Sequence, residues 1–323
     1  MTQAPTPTAD TVRRLVGSLF KEASQEASMG AAETAGGPDV RPVTEGGTGD
    51  SRAVWWVGAR HVLRLAPDRE ATARGRRELR LRDLVRPHVP LAVPASVAHG
   101  EWAPGLAYTL DTRLTGAGAE DRAVSAVGEA DLAALLTGLR EVPVRQAETL
   151  GVPRRAARSL EALRRSAGGA ARRLGEADEF DPARLAPFTA TAAAQLAPQP
   201  GAAVLVHHGL TGAHLLVGED GRVRGVLGWG DAVTGDPAED IAGLARAVGA
   251  PAAVRAATLA GYGPRPCLRG LWLARCDALL HLAARLDAPT GDPLPLLRHR
   301  LRRAWEPILL ERVTDLRGGP GEP

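Results

Sequence analysis

The stretch from Val204 to Ala245 constrains the fold more than any other part of the chain. It reads VLVHHGLTGAHLLVGEDGRVRGVLGWGDAVTGDPAEDIAGLA. Val204-Leu205-Val206 is an apolar run of strand length, and a loop carrying His207, His208 and His214 follows it. Leu215-Leu216-Val217 and Val223 to Leu227 flank Gly218-Glu219-Asp220-Gly221, a hairpin with its turn. Two short turns, Gly228-Trp229-Gly230-Asp231 and Gly235-Asp236-Pro237, then lead into helical periodicity from Asp240.

This β island sits inside a helical half. Helix is expected over Glu129 to Arg140, Arg154 to Leu174, Pro182 to Leu196, and from Asp240 to the end. The first half reads as sheet. Arg41-Pro42-Val43 leads into the glycine-rich Glu45 to Gly49, and Ala53 to Val57 with His61 to Leu65 form a hairpin around Gly58. Arg74 to Arg86 is a charged helix with Leu79, Leu81, Leu84 and Val85 available for burial. Pro90 and Pro94 mark a return to sheet, and Leu106 to Leu110 is a further strand. Ahead of these, residues 1–9 read as a disordered tail. Asp10 or Thr11 caps a helix that buries Val12, Leu15, Val16, Leu19 and Phe20, and residues 24–38 form a linker. The expected class is α+β with two lobes: tail and amphipathic helix over 1–35, a small β-rich lobe over 36–112, a larger helical lobe over 113–316, and a disordered tail over 317–323.

Several function classes recede on composition. The apolar fraction of 44% fits a globular chain, and aromatics at 3% leave Leu, Val and Ala to fill the core. Lys21 is the only lysine, so 39 of the 40 basic residues are arginines, against 37 acidic ones and a net charge of +3. Arg154-Arg155, Arg172-Arg173 and Arg298 to Arg303 would suit nucleic acid or acidic lipid. The near balance of charge and the excess of Ala, Gly and Pro favour the drift of a GC-rich, actinobacterial-type genome, so nucleic acid is not the favoured partner. Cys267 and Cys276 share one helical segment about 13 Å apart, too far for a disulfide, and two such thiols suit the cytoplasm. No signal peptide or membrane span is expected.

The order of motifs from Val204 resembles the aminoglycoside phosphotransferase family, which has a protein-kinase-like fold. That family runs Val-His-Gly-Asp-Leu, four residues to an Asn, a hairpin, Ile-Asp-Trp, then Gly-Asp-Pro-x-x-Asp-Leu-Ala. His207, Leu210, Leu215, Leu216, Val217, Trp229, Gly235, Asp236, Pro237, Asp240 and Ala242 stand in register with it, without a gap. The resemblance covers roughly residues 36–315. It implies ATP and Mg²⁺ as cofactors, with Arg64 in Val62-Leu63-Arg64-Leu65 on the phosphates, Glu78 pairing with it, Gly46 and Gly47 covering the nucleotide, and Tyr108 to Gly116 lining the adenine. It gives His207 and Asp240 the task of holding the catalytic loop.

Three positions depart from it. The catalytic Asp falls at Gly209, the metal-binding Asn at His214, and the metal-binding Asp at Gly228. Phosphoryl transfer relies on positioning and on Mg²⁺ neutralising the phosphates. Mg²⁺ takes hard oxygen ligands, whereas glycine has no side chain and an imidazole offers nitrogen. Loss of a general base alone removes about 10²–10⁴ in rate. The expectation is a pseudokinase whose interlobe cleft takes a small-molecule ligand or a protein partner. The alternative is an active ATP-dependent phosphotransferase, acting on a hydroxyl of a metabolite or antibiotic, with Asp231, Asp236 and His214 as relocated groups and Arg64 on the phosphates. His207, His208 and His214 with Asp231 would also suit Zn²⁺ or Ni²⁺, but their spacing matches no familiar zinc motif, and loop packing is the favoured reading.

Overall fold

The computed structural model describes residues 7–26, 39–43, 54–198, 201, 203–288 and 290–308. It divides into two compact units, Met1–Asp83 with Val93–Thr115, and Leu84–Ala92 with Gly116–Pro323.

The first unit is a five-stranded antiparallel sheet between two helices. Its elements are α1 (Ala9–Glu26), β1 (Val40–Pro42), β2 (Val54–Val57), β3 (His61–Leu65), α2 (Arg69–Val85), β4 (Ser96–Ala103) and β5 (Leu106–Thr112), with strand order β1-β2-β3-β5-β4. Side chains alternate across a strand, so β3 and β5 serve two faces. Leu63, Leu65, Tyr108 and Leu110 pack with Trp55 and Val57 against Val12 and Val16 of α1. Arg64, Thr109 and Asp111 point the other way, towards α2. The amphipathic helix expected at the N-terminus therefore packs on its own fold. Its cap is Thr8, whose hydroxyl accepts the Thr11 N–H at 3.2 Å, not Asp10 or Thr11. The helix also runs past the expected linker start, to Glu26. Asp68 caps α2 by accepting the Ala71 N–H at 2.7 Å, which starts that helix before Arg74. Gly46 and Gly47 lie outside the described residues.

The second unit is mostly helical. It comprises β6 (Ala117–Gly118), α3 (Ala126–Glu141), α4 (Val144–Thr149), α5 (Leu160–Glu176), α6 (Ala190–Gln195), β7 (Val204–Val206), β8 (Leu215–Val217), β9 (Val223–Val226), β10 (Val233–Gly235), α7 (Ala238–Val248), α8 (Ala250–Leu259), α9 (Pro264–Asp287) and α10 (Leu294–Ala304). The β island holds a β6-β8-β9 sheet and a β10-β7 pair. Two expected helices differ. Residues 154–159 are not helical because Arg154 and Arg155 pair with Thr234 of β10, and α5 begins only where Ser159 accepts the Ala162 N–H. The span Pro182 to Leu196 splits at Pro187, which cannot continue the 3₁₀ turn Pro182–Leu185, and Thr189 caps α6 afresh. The core centres on α9, where α7 crosses so closely at Gly270 that a Cβ there would meet Ile241 at 2.7 Å.

Many arginines are engaged in ion pairs. Arg298 binds Glu179, Arg300 binds Glu120 and Asp292, and Arg303 donates to the backbone of Ala119 and Ala247. Among the described residues no helix is long and apolar enough to cross a membrane.

Candidate functional site

The loop after β7 is built around one carboxylate. Strand β7 delivers His207 into full burial. Asp240, in the first turn of α7, accepts the backbone N–H of His207 at 2.8 Å through Oδ2 and that of His208 at 2.9 Å through Oδ1. The His207 ring donates from Nε2 to the Leu227 carbonyl at 2.8 Å, tying the loop to the end of β9, and packs edge-on against Trp229 at 4.7 Å. Burial drives the His207 imidazole down to about 3, with His214 adding to the effect, so the ring is neutral. Burial pushes Asp240 up to about 7, against the pull of its two N–H donors. His207 and Asp240 thus lie together, and the contacts they make are those that fix a loop.

The backbone next bends at His208, whose φ of +64° lies in the left-handed region. Its Nε2 meets Arg155 Nη1 at 2.9 Å, so Nε2 accepts and the imidazole is held as a neutral tautomer. Residues Gly212–His214 form one 3₁₀ turn. His214 donates from Nδ1 to the Gly209 carbonyl at 2.5 Å, which leaves Nε2 as an acceptor. That Nε2 faces Gly228. A Cβ built on Gly228 would meet His214 Nε2 at 2.6 Å, and Gly228 itself has φ +81°. A Cβ built on Gly209 would lie 3.7 Å from His214 Nδ1 and 3.8 Å from His207 Nδ1, in ordinary contact. Two of the positions that depart from the family motif, Gly209 and Gly228, therefore flank the imidazole of the third, His214.

The two aspartates beyond them go separate ways. Asp231 is exposed at the end of the turn Trp229–Asp231. Asp236 is engaged on both oxygens: Oδ1 accepts the Ala238 N–H at 3.0 Å, and Oδ2 accepts Arg269 Nε at 2.6 Å. Arg269 also donates to the carbonyls of Arg158 and Leu196, so the pair joins α7, α9 and the chain ahead of α5. Arg269 escaped the sequence reading, although an arginine inside the apolar run Cys267 to Leu273 is itself a signal of a buried partner. Among the described residues no three His, Cys, Asp or Glu side chains converge as a metal site.

In the first unit, Arg64 and Glu78 meet at 3.3 Å. They belong to a larger network, because Asp111, buried on β5, binds Arg82 at 3.2 Å and lies 3.9 Å from Arg64. Asp111 falls in the Tyr108 to Gly116 segment expected to line the adenine, but its pairing with Arg82 was not expected. The network lines a cavity of about 320 Å³ between α2 and the sheet, and a Cβ on Gly75, which also lines it, would meet nothing within 4 Å.

With this geometry, the chain is similar in fold to several solved phosphotransferases. The GDP complex of wild-type aminoglycoside 2'-phosphotransferase-IIIa superposes with a TM-score of 0.60 at 17% identity, covering 90% of this chain and 98% of that one. A GDP and kanamycin complex of an APH(2") enzyme gives 0.57 at 17% identity, covering 93% and 99%. The macrolide 2'-phosphotransferase MphH from Brachybacterium faecium gives 0.53 at 21% identity, covering 90% and 99%. These likenesses give the fold as protein-kinase-like. No curated protein matches the sequence. The model of the phosphotransferase enzyme family matches residues 39–274, most of the length, and the chain belongs to that family.

Proposed function

We propose that this member of the phosphotransferase family is a pseudokinase, acting by binding a small molecule or a protein partner and not by phosphate transfer. One observation carries the reading: the imidazole of His214 fills the space over Gly228. By resemblance these are the two metal-holding positions. The residues present do not fit Mg²⁺ there. Gly228 has no side-chain ligand atom, its backbone angle disfavours a side chain there, and His214 offers nitrogen where an oxygen is needed. Gly209 adds no carboxylate that would take a proton from an acceptor hydroxyl. Relocation onto Asp236 would require breaking its buried pair with Arg269, and Asp231 is exposed on its turn.

The test is an ADP- and GDP-release assay on the full chain with ATP or GTP, Mg²⁺ or Mn²⁺, and aminoglycoside and macrolide acceptors. No acceptor-dependent turnover is expected, and Mg²⁺ should leave any nucleotide-induced shift in melting temperature unchanged. Acceptor-dependent turnover that vanishes in Asp231→Asn or Asp236→Asn, with both variants folded, would establish an active enzyme with relocated groups.

A further inference from the structure

The helical unit contains a cavity of about 490 Å³ beside the loop segment Leu210 to Gly212, walled by α7, the C-terminal half of α9 and α10. That volume lies in the range of small-molecule sites. Three guanidiniums, Arg246, Arg285 and Arg300, and the His281 ring line it, against one acidic side chain, Asp292. The carboxylates around it are already shared out. Asp277 binds Arg246 at 2.7 Å and also Arg158 at 2.7 Å. Glu120 and Asp292 both bind Arg300, each at 2.5 Å. Arg285 is different. Its Nε donates to the backbone carbonyl of Asp292 at 3.2 Å, and no carboxylate among the described residues pairs with its guanidinium. His281 is lowered by burial and by Arg246, so at neutral pH it adds a neutral hydrogen-bonding ring to this wall.

An arginine fork without a carboxylate, at the edge of a solvent-accessible cavity, matches the paired oxygens of a carboxylate or phosphate. A polycation entering the same space would meet Arg285 uncompensated and two further guanidiniums beside it. We propose that this cavity binds a small organic anion, bearing a carboxylate or phosphate monoester, through Arg285, and that it rejects polycations such as kanamycin. The proposal goes beyond the pseudokinase reading and stands whether or not phosphate is transferred, because none of these side chains is at Gly209, His214 or Gly228.

Calorimetric titration of the full chain at fixed ionic strength tests it, with citrate, glucose 6-phosphate and kanamycin as probes. At least one anion should bind, citrate marking a carboxylate site and glucose 6-phosphate a phosphate site, while kanamycin should not. Arg285→Glu should weaken the bound anion by about tenfold or more, the loss of one charge-assisted hydrogen bond. Arg285→Gln keeps the bulk of the side chain and should weaken it in the same direction with an unchanged melting temperature. Binding of kanamycin more tightly than of either anion, anion binding indifferent to both substitutions, or no binding of either anion would overturn the proposal.

Discussion

His214 Nε2 stands 2.6 Å from the point at which a Cβ on Gly228 would project, so the two residues occupy one volume between them. Restoring an aspartate at 228 alone adds left-handed backbone strain of about 1–3 kcal/mol and overpacking of about 1–3 kcal/mol. Gly228→Asp should therefore lower stability by about 2–6 kcal/mol in urea unfolding. Combined with His214→Ala it should lose less than the sum of the single changes by about 1 kcal/mol or more. Strict additivity would show that the imidazole moves aside freely.

The loop carboxylate makes a prediction about pH. Asp240 is held near 7 in the fold and takes 3.8 when unfolded, whereas His207 is held near 3 and takes 6.5 when unfolded. Between pH 4 and 6.5 the native state holds the Asp240 proton and the unfolded state holds the His207 proton. The first makes stability fall as pH rises, the second makes it rise, and the two nearly cancel. Asp240→Asn removes only the first. The slope of unfolding free energy against pH over that window should become more positive by about 1.4 kcal/mol per unit, measured by urea titrations at stepped pH. An unchanged slope would place Asp240 at an ordinary carboxylate value.

Asp236 and Arg269 are both nearly inaccessible, so breaking their pair strands a charge. Arg269→Leu should destabilise the chain by about 3–5 kcal/mol, and joint replacement with Asp236→Leu should recover part of that. The contrast in denaturant midpoints separates a structural aspartate from one spared for chemistry.

The charge network of the first unit should respond unevenly. Arg64 is 34% exposed on its side chain, and Asp111 keeps Arg82 when Arg64 is removed. Arg64→Met should change stability by less than about 1 kcal/mol. Arg82→Met leaves Asp111 buried without its main partner and should lose about 3–5 kcal/mol. Equal losses in the two unfolding curves would mean that the network acts as one unit.

Elements whose signal is local were legible in the sequence. The hairpin at Gly218 to Gly221 pairs Leu215 with Val226, and the hairpin at Gly58 pairs Val57 with His61, because turn residues and apolar runs set both registers. The spacing of Val12 and Val16 gave the buried face of α1. What stayed hidden depends on partners far apart in the chain. Arg154 and Arg155 read as helical until Thr234 pairs with them. Asp111 and Arg82 lie 29 residues apart, and Arg269 and Asp236 lie 33 apart, with nothing in the spacing to join them. His214 and Gly228 read as two separate losses. Only their packing makes them a complementary pair.

The family match begins at residue 39, which leaves α1 outside it. Yet Val12 and Val16 of that helix have no exposed surface, since they cover Trp55, Val57, Leu63 and Leu110. A protein trimmed to the shared boundary would display those side chains as an uncovered apolar sheet face, a template for self-association. Such a truncation should be recovered as aggregate, and the short helix would have to be kept in any attempt to obtain the first unit as a soluble fragment.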